Sequence, residues 1–293
     1  MDTPQKSKVC VIGSGLRGIL ALGFLHDICD MTCYEMQDKP CGLWNYTDLT
    51  DETVDKSTDF YANMYGHNYG SMYENLVSVG PKNLQRFKDF NDKIEEDHFS
   101  IDQYRDYLLD YIEANNIGQY INYNTAVVDL RVNGSADENL HWKVTIQKGI
   151  GGEKEILYFD YVIVANGNHS VPLYNHTNVQ NLNKFKGTVM HAHNFRTPNS
   201  DQFVNKHILF IGSKISGCDI LYKFLGNGDD SKVADFKSIT ISQGRFGFLQ
   251  NTTNFRKYIE NGKLIIKNAG LDFKENSVIF EDGTEQEIDT VLF

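Results

Sequence analysis

The chain has no run of about 18 apolar residues, so it contains no stretch of the kind that crosses a bilayer as a helix. Its opening "MDTPQKSK" has no apolar core and does not read as a secretory signal. Basic residues are in deficit: 28 Lys and Arg stand against 39 Asp and Glu, a formal net charge of −11. That balance argues against a nucleic-acid partner, which selects a basic stripe. The five cysteines, Cys10, Cys29, Cys33, Cys41 and Cys218, form no C-x-x-C pair. A reduced, cytoplasmic protein with small buried thiols is expected, without a dithiol redox centre. Metal ligation is not expected either: His191 and His193 would share one face of a strand, but no further ligands stand near them.

What is present is ordinary globular material. The 293 residues, 41% of them hydrophobic, suit two domains better than one core. One plan occurs twice. "KVCVIGSGLRGILALGFL" is an apolar strand, a glycine turn and a helix, and "KHILFIGSKISGCDILYKFL" repeats it. The endings match as well. "KVTIQKGIGGEKEILYFDYVIVANG" and "SVIFEDGTEQEIDTVLF" each read as a hairpin followed by a buried strand, with Asp160 or Asp289 just before the last apolar run. The expected fold class is α/β, with two Rossmann-like dinucleotide-binding domains, each holding a parallel sheet and a small β-meander. The expected bounds are 1–170 and 171–293. A buried strand seldom ends a chain without a cap, so a chain cut short after Phe293 is expected.

"GSGLRG" carries the full G-x-G-x-x-G. Gly13 permits the tight turn, Gly15 lets the backbone approach a pyrophosphate, and Gly18 lets helix and strand pack closely. Ser14 completes the loop. Glu35, 17 residues past Gly18 at the end of "MTCYE", is placed to bond the adenosine ribose. The second loop, Gly212, Ser213, Lys214, Ser216 and Gly217, has lysine where the middle glycine belongs. After its next strand comes Gln243-Gly244-Arg245, with no acid. An acid there selects NADH, whereas an arginine accommodates the 2′-phosphate of NADPH. Arg245 is therefore the expected phosphate partner, with an ordinary surface arginine as the alternative. Two dinucleotide sites in one chain point to a flavoenzyme reduced by a nicotinamide. Between Asp38 and Asp97 lies a long aromatic segment without clean periodicity, and a helix resumes at about Ile101 to Ala114. Tyr61, Tyr65, Tyr69 and Tyr73 recur at i+4, as a helical stripe packed on the core or as a lining for an amine pocket.

"FKGTVMHAHNF" fits F-x-G-x-x-x-H-x-x-x-F with Phe185, Gly187, His191 and Phe195. Together with "GLWNYT", "SMYENL" and "GPKN", in that order along nearly the whole chain, it resembles the flavin-containing monooxygenases, in the branch of the trimethylamine monooxygenases. The resemblance implies FAD along Gly13–Gly18, Glu35, the Gly42-Leu43-Trp44 segment and the loop of Ser78 and Lys82, with NADPH at Gly212–Gly217. It implies O2 and a small amine or sulfide as substrates, N- or S-oxygenation through a C4a-hydroperoxyflavin, and it allows a homodimer. Three departures bear on this. The family's asparagine in the flavin loop is Val79, which cannot donate a hydrogen bond, and losing one such donor lowers a rate about 100- to 1,000-fold. No catalytic side chain is therefore assigned. The usual A-T-G is Ala165-Asn166-Gly167, and the family continues beyond "DTVLF" to complete its FAD domain. The competing reading is a non-catalytic or uncoupled relative, an NADPH oxidase that releases hydrogen peroxide.

Overall fold

The structure is a computed structural model that describes residues 5–88, 90, 94–134, 141–168, 170–174, 179–243 and 255–293. The chain forms two compact units, Met1–Val171 and Pro172–Phe293. No helix among the described residues is long and apolar enough to cross a membrane.

The first unit runs β1 (Lys8–Ile12), α1 (Leu16–Leu25), β2 (Asp30–Tyr34), α2 (Phe60–Tyr65), α3 (Lys82–Gln85), α4 (Ile101–Ala114) and β3 (Ile121–Asn122). It closes with β4 (Thr125–Asn133), β5 (His141–Lys148), β6 (Lys154–Phe159) and β7 (Tyr161–Val164). A parallel sheet has the order β3-β2-β1-β7, and β4-β5-β6 form an antiparallel meander. Alternation along β1 divides the core. Val9 and Val11 face α1 and α4, among Ile19, Leu22, Tyr104 and Leu108. Cys10 faces the meander, with Val144 and Phe159. Helix α4 begins on a capping box: the Ser100 hydroxyl accepts from the Gln103 amide, and the Gln103 side chain accepts from the Ser100 amide.

The second unit runs β8 (Val179–Gln180), β9 (Thr188–Met190), β10 (His207–Ile211), α5 (Ile215–Phe224), β11 (Ser238–Gln243), α6 (Arg256–Glu260) and β12 (Leu264–Asn268). Then come β13 (Leu271–Phe273), β14 (Ser277–Phe280), β15 (Glu285–Glu287) and β16 (Thr290–Leu292). Its parallel sheet has the order β12-β11-β10-β16-β9, and the hairpins β13-β14-β15, joined by β8, make the second layer. Leu209 faces that layer with Phe273 and Val278. Phe210 faces α5, where its ring lies 5.8 Å from that of Phe224. The F-x-G-x-x-x-H-x-x-x-F residues do structural work here. A β-carbon on Gly187 would stand 2.4 Å from the Asp289 carbonyl oxygen, and Phe195 is fully buried between Phe203 and Phe224.

The repeated aspartates have one job in common. The Lys8 amide donates to Asp160 Oδ2 (2.8 Å) and the Asp160 amide donates to the Lys8 carbonyl (3.0 Å). In the second unit the His207 amide donates to Asp289 Oδ2 (2.7 Å) and the Asp289 amide to the His207 carbonyl (2.8 Å). Each aspartate thus fixes the start of the strand that leads into the glycine loop. Two expectations need correction. β16 is buried throughout, but β7 is not: Tyr161 and Val164 are 60% and 61% exposed. β7 pairs with β1 alone among the described strands, and Val164 borders a cavity. The tyrosine stripe is not one helix either. α2 ends at Tyr65 because Gly66 turns left-handed (φ 75°), so Tyr69 and Tyr73 lie beyond it.

Burial pushes the Cys10 and Cys41 thiols up to about 12, and raises Cys33 further. The thiolate is the reactive form, so these cysteines should resist alkylation. In the native chain at pH 8, iodoacetamide should label Cys29 first and Cys218, whose thiol is also raised, more slowly. The other three should react only in urea, as read by peptide mass.

Candidate dinucleotide site

The loop between β1 and α1 is shaped by absent side chains. Gly13 has φ 95°, and a β-carbon there would stand 2.8 Å from the Ala165 carbonyl oxygen. One on Gly18 would stand 1.9 Å from the Gly13 carbonyl oxygen, which is overlap. Gly15 differs. Its backbone is ordinary (φ −69°, ψ −174°), and a β-carbon would meet only the Gly42 α-carbon, at 3.9 Å. Its open side faces a cavity. The Cys41 amide donates to the Ser14 carbonyl (3.0 Å), and Cys41 and Gly42 both take left-handed backbones (φ 79° and 53°), which lays Gly42–Trp44 against the loop.

Glu35 ties the loop to the second strand. Its Oε2 accepts from the Ser14 amide (2.7 Å) and the Ser14 hydroxyl (2.8 Å), and its Oε1 accepts from the Gln37 amide (2.9 Å). A carboxylate has about four acceptor positions, so these three bonds leave capacity for one more donor. The cavity in front measures about 620 Å³, within the range of cofactor sites. Gly13, Gly15, Glu35, Gly42, Leu43 and Trp44 line it. Ser14 is fully buried and Gly18 is buried behind the wall, so both shape the site without bordering it. The first amides of α1 have no acceptor within the helix and lie at its positive end.

Three further features suit a nucleotide with a fused aromatic ring system. Gln37 borders the cavity, and its Oε1 is buried without a hydrogen-bond partner among the described residues. A buried acceptor left unpaired calls for a donor. Tyr61, Tyr65 and Tyr69 form an aromatic wall, with Tyr61 ring centroids 5.0 Å from Tyr65 and 6.1 Å from Tyr69. These three tyrosines border the cavity, while Tyr73 is buried. Trp44 completes the wall, held edge-on to Tyr104 at 4.4 Å.

Ser78 and Lys82 do not line this cavity. The Ser78 hydroxyl accepts from Gln85 Nε2 (3.0 Å) and from the Phe99 amide (3.1 Å), and the Lys82 ammonium donates to the Ile94 carbonyl. They hold their loop in place. Val79 is 68% exposed. In the second unit Gly212 (φ 113°) makes the same turn, its amide donating to the Ser242 carbonyl (3.0 Å), as the Gly13 amide donates to Tyr34. A β-carbon on Gly217 would stand 2.9 Å from the Gly212 carbonyl oxygen. Lys214 caps α5 with φ −80° and ψ −169°, close to the values at Gly15. Lys214 and Ser216 are exposed, while Ser213 is buried and its carbonyl accepts from the Cys218 thiol (3.2 Å). Arg245 and Gly244 lie outside the described residues. His191 and His193 do not share a strand face: β9 ends at Met190, and His191 Nδ1 accepts from the His193 amide at 3.0 Å.

The sequence reading missed Gln37 and Arg17 as cavity residues. Gln37 was findable, since it lies two residues beyond Glu35 and so on the same side of an extended segment. Replacing Glu35 with Ala leaves the buried Ser14 amide and hydroxyl without their acceptor. Glu35→Ala should destabilise the chain by about 2 to 3 kcal/mol in urea titration.

The family model described as flavin-binding monooxygenase-like matches residues 6–234. A trimethylamine monooxygenase of Pelagibacter sp. (strain HTCC7211) is 30% identical over 98% of this chain and 60% of its own length. The chain thus spans about 60% of that curated relative. The crystal structure of Tmm from Pelagibacter sp. strain HTCC7211 superposes with a TM-score of 0.78 at 27% identity, over 98% of this chain and 60% of that one. The S-allyl-L-cysteine S-oxygenase of Allium sativum shares the fold, with a TM-score of 0.76 at 20% identity, over 98% of this chain and 61% of that one.

Proposed function

We propose that this chain, which belongs to the flavin-binding monooxygenase-like family, is an FAD- and NADPH-dependent monooxygenase that oxygenates amines or sulfides at nitrogen or sulfur. In this reading the Met1–Val171 unit binds FAD and the Pro172–Phe293 unit binds NADPH. The pyrophosphate of FAD lies at the first amides of α1, and Glu35 uses its remaining acceptor position on the adenosine ribose. Gln37 Oε1 takes a donor from the same nucleotide. Gly42, Leu43, Trp44 and the three tyrosines bound the aromatic end and exclude water from it. Ser78 and Lys82 enter through the loop they hold. In the second unit Gly212, Ser213, Ser216 and Gly217 present the phosphate turn, Lys214 stands beside the phosphates and Arg245 meets the 2′-phosphate. Bound flavin and nicotinamide supply the hydride and oxygen chemistry. The residues of the chain bind, orient and shield.

The observation that carries this reading is the Ser14–Glu35 pair. It ties the glycine loop to Glu35, an acid that lines a cavity of cofactor size. The choice of nitrogen or sulfur rests on the similarity to a trimethylamine monooxygenase. A second reading, an uncoupled NADPH oxidase, is favoured by Val79, which offers an exposed apolar side chain where the family has an amide.

The chain loaded with FAD and supplied with NADPH, O2 and trimethylamine should form the N-oxide, measured by mass spectrometry, in near proportion to NADPH consumed. Hydrogen peroxide without any oxygenated product from amines or thioethers would move the assignment to the second reading. Val79→Asn should raise the ratio of product to peroxide.

A further inference from the structure

The first turn of α1 holds a cation of the wrong sign for its place. Arg17 is the second residue of the helix, at the positive end of the helix dipole, and no acidic residue shares that turn. Arg105 and Arg131 both close on carboxylates. Arg17 makes no hydrogen bond or ion pair among the described residues. Its side chain is exposed and borders the cavity in front of Gly13 and Gly15. In the second unit the equivalent of Arg17 is Ser216, and the loop's cation, Lys214, comes two positions earlier, at the equivalent of Gly15. Each repeat of the plan therefore places one cation at its helix N-terminus, at a different offset from the glycines.

A cation at this end of a helix is opposed by the dipole, and the Glu35 carboxylate, which lines the same cavity, makes no ion pair with it. Backbone amides alone suffice for the glycine loop, so the guanidinium adds something the loop does not need in order to fold. We infer that Arg17 is a diphosphate-binding residue: its guanidinium closes on the phosphate oxygens of a dinucleotide seated at α1, as a charge-assisted, bidentate contact. The inference rests on the proposed occupancy of this cavity by FAD. It makes Arg17 a determinant of preference for ligands with a diphosphate over those without one.

The test compares the full chain with Arg17→Ala, Arg17→Gln and Arg17→Lys, using FAD, ADP and riboflavin as probes in calorimetric titrations at several KCl concentrations. The Ala and Gln variants should bind FAD and ADP about tenfold or more weakly, the range of a charge-assisted hydrogen bond. Riboflavin binding should be unchanged. Arg17→Lys should recover part of the loss, and the Ala and Gln variants should respond less to salt. The thermal midpoint of the ligand-free Ala and Gln variants should be no lower than that of the wild type, since the misplaced charge is gone. Equal affinities for FAD and ADP in wild type and Ala variant would overturn the inference. So would a ligand-free Ala variant that is less stable, which would make Arg17 a structural residue. If the wild-type chain binds neither FAD nor ADP, the cofactor reading of the cavity fails and the inference with it.

Discussion

A carbonyl oxygen occupies the space where the β-carbon of Gly18 would be. That single close approach brings α1 down onto β1, and most of the first unit depends on it. The helix can then bury Ile19 and Leu22 on the face of the sheet that also receives α4. Its free amides come out at the strand's C-terminal end, where Glu35 emerges from the neighbouring strand. The opposite end of β1 is fixed by Asp160. The strand is held at both ends by groups outside itself, and the loop it delivers has little freedom left. The second unit uses the same device with Gly217 and Asp289, although the approach of the Gly212 carbonyl is looser, 2.9 Å against 1.9 Å.

Much of this was legible in the sequence because it is local. Two strand–loop–helix runs, the acid after the second strand, the hairpins and the bounds of α4 follow from spacing over fewer than about 20 residues. The matched aspartates were visible as a repetition, but not their purpose: a residue just before β7 that bonds the start of β1 is a contact across more than a hundred positions. The aromatic segment resisted for a related reason. Its shape comes from side chains that reach distant backbone, such as Asn68 to the Leu49 carbonyl and the Tyr104 hydroxyl to the Gln85 carbonyl. Periodicity carries no trace of such bonds. A regular i+4 series of tyrosines suggested one helix, and a left-handed glycine divided it. The burial of β7 was misjudged because an apolar strand at a sheet edge beside a cavity has the same composition as a central one.

The fingerprint through Phe185, Gly187 and Phe195 reads differently once placed. Its aromatic residues fill the core of the second unit, and its glycine admits the Asp289 carbonyl. Among the described residues, its visible function is to let β9 join the sheet beside β16. A pattern that marks a family can mark how its members fold, leaving reaction chemistry to residues outside it.

Gly15 and Lys214 occupy the same backbone conformation, one that any L-amino acid adopts without strain. The outer glycines of each loop are dictated by the polypeptide, whereas the middle position is not. Its occupant is therefore free to vary with whatever the loop faces. Within a protein built on one duplicated plan, that position can change without cost to the host. Two loops that fold alike can be tuned to different ligands by changing one side chain, with no alteration to the architecture that presents it.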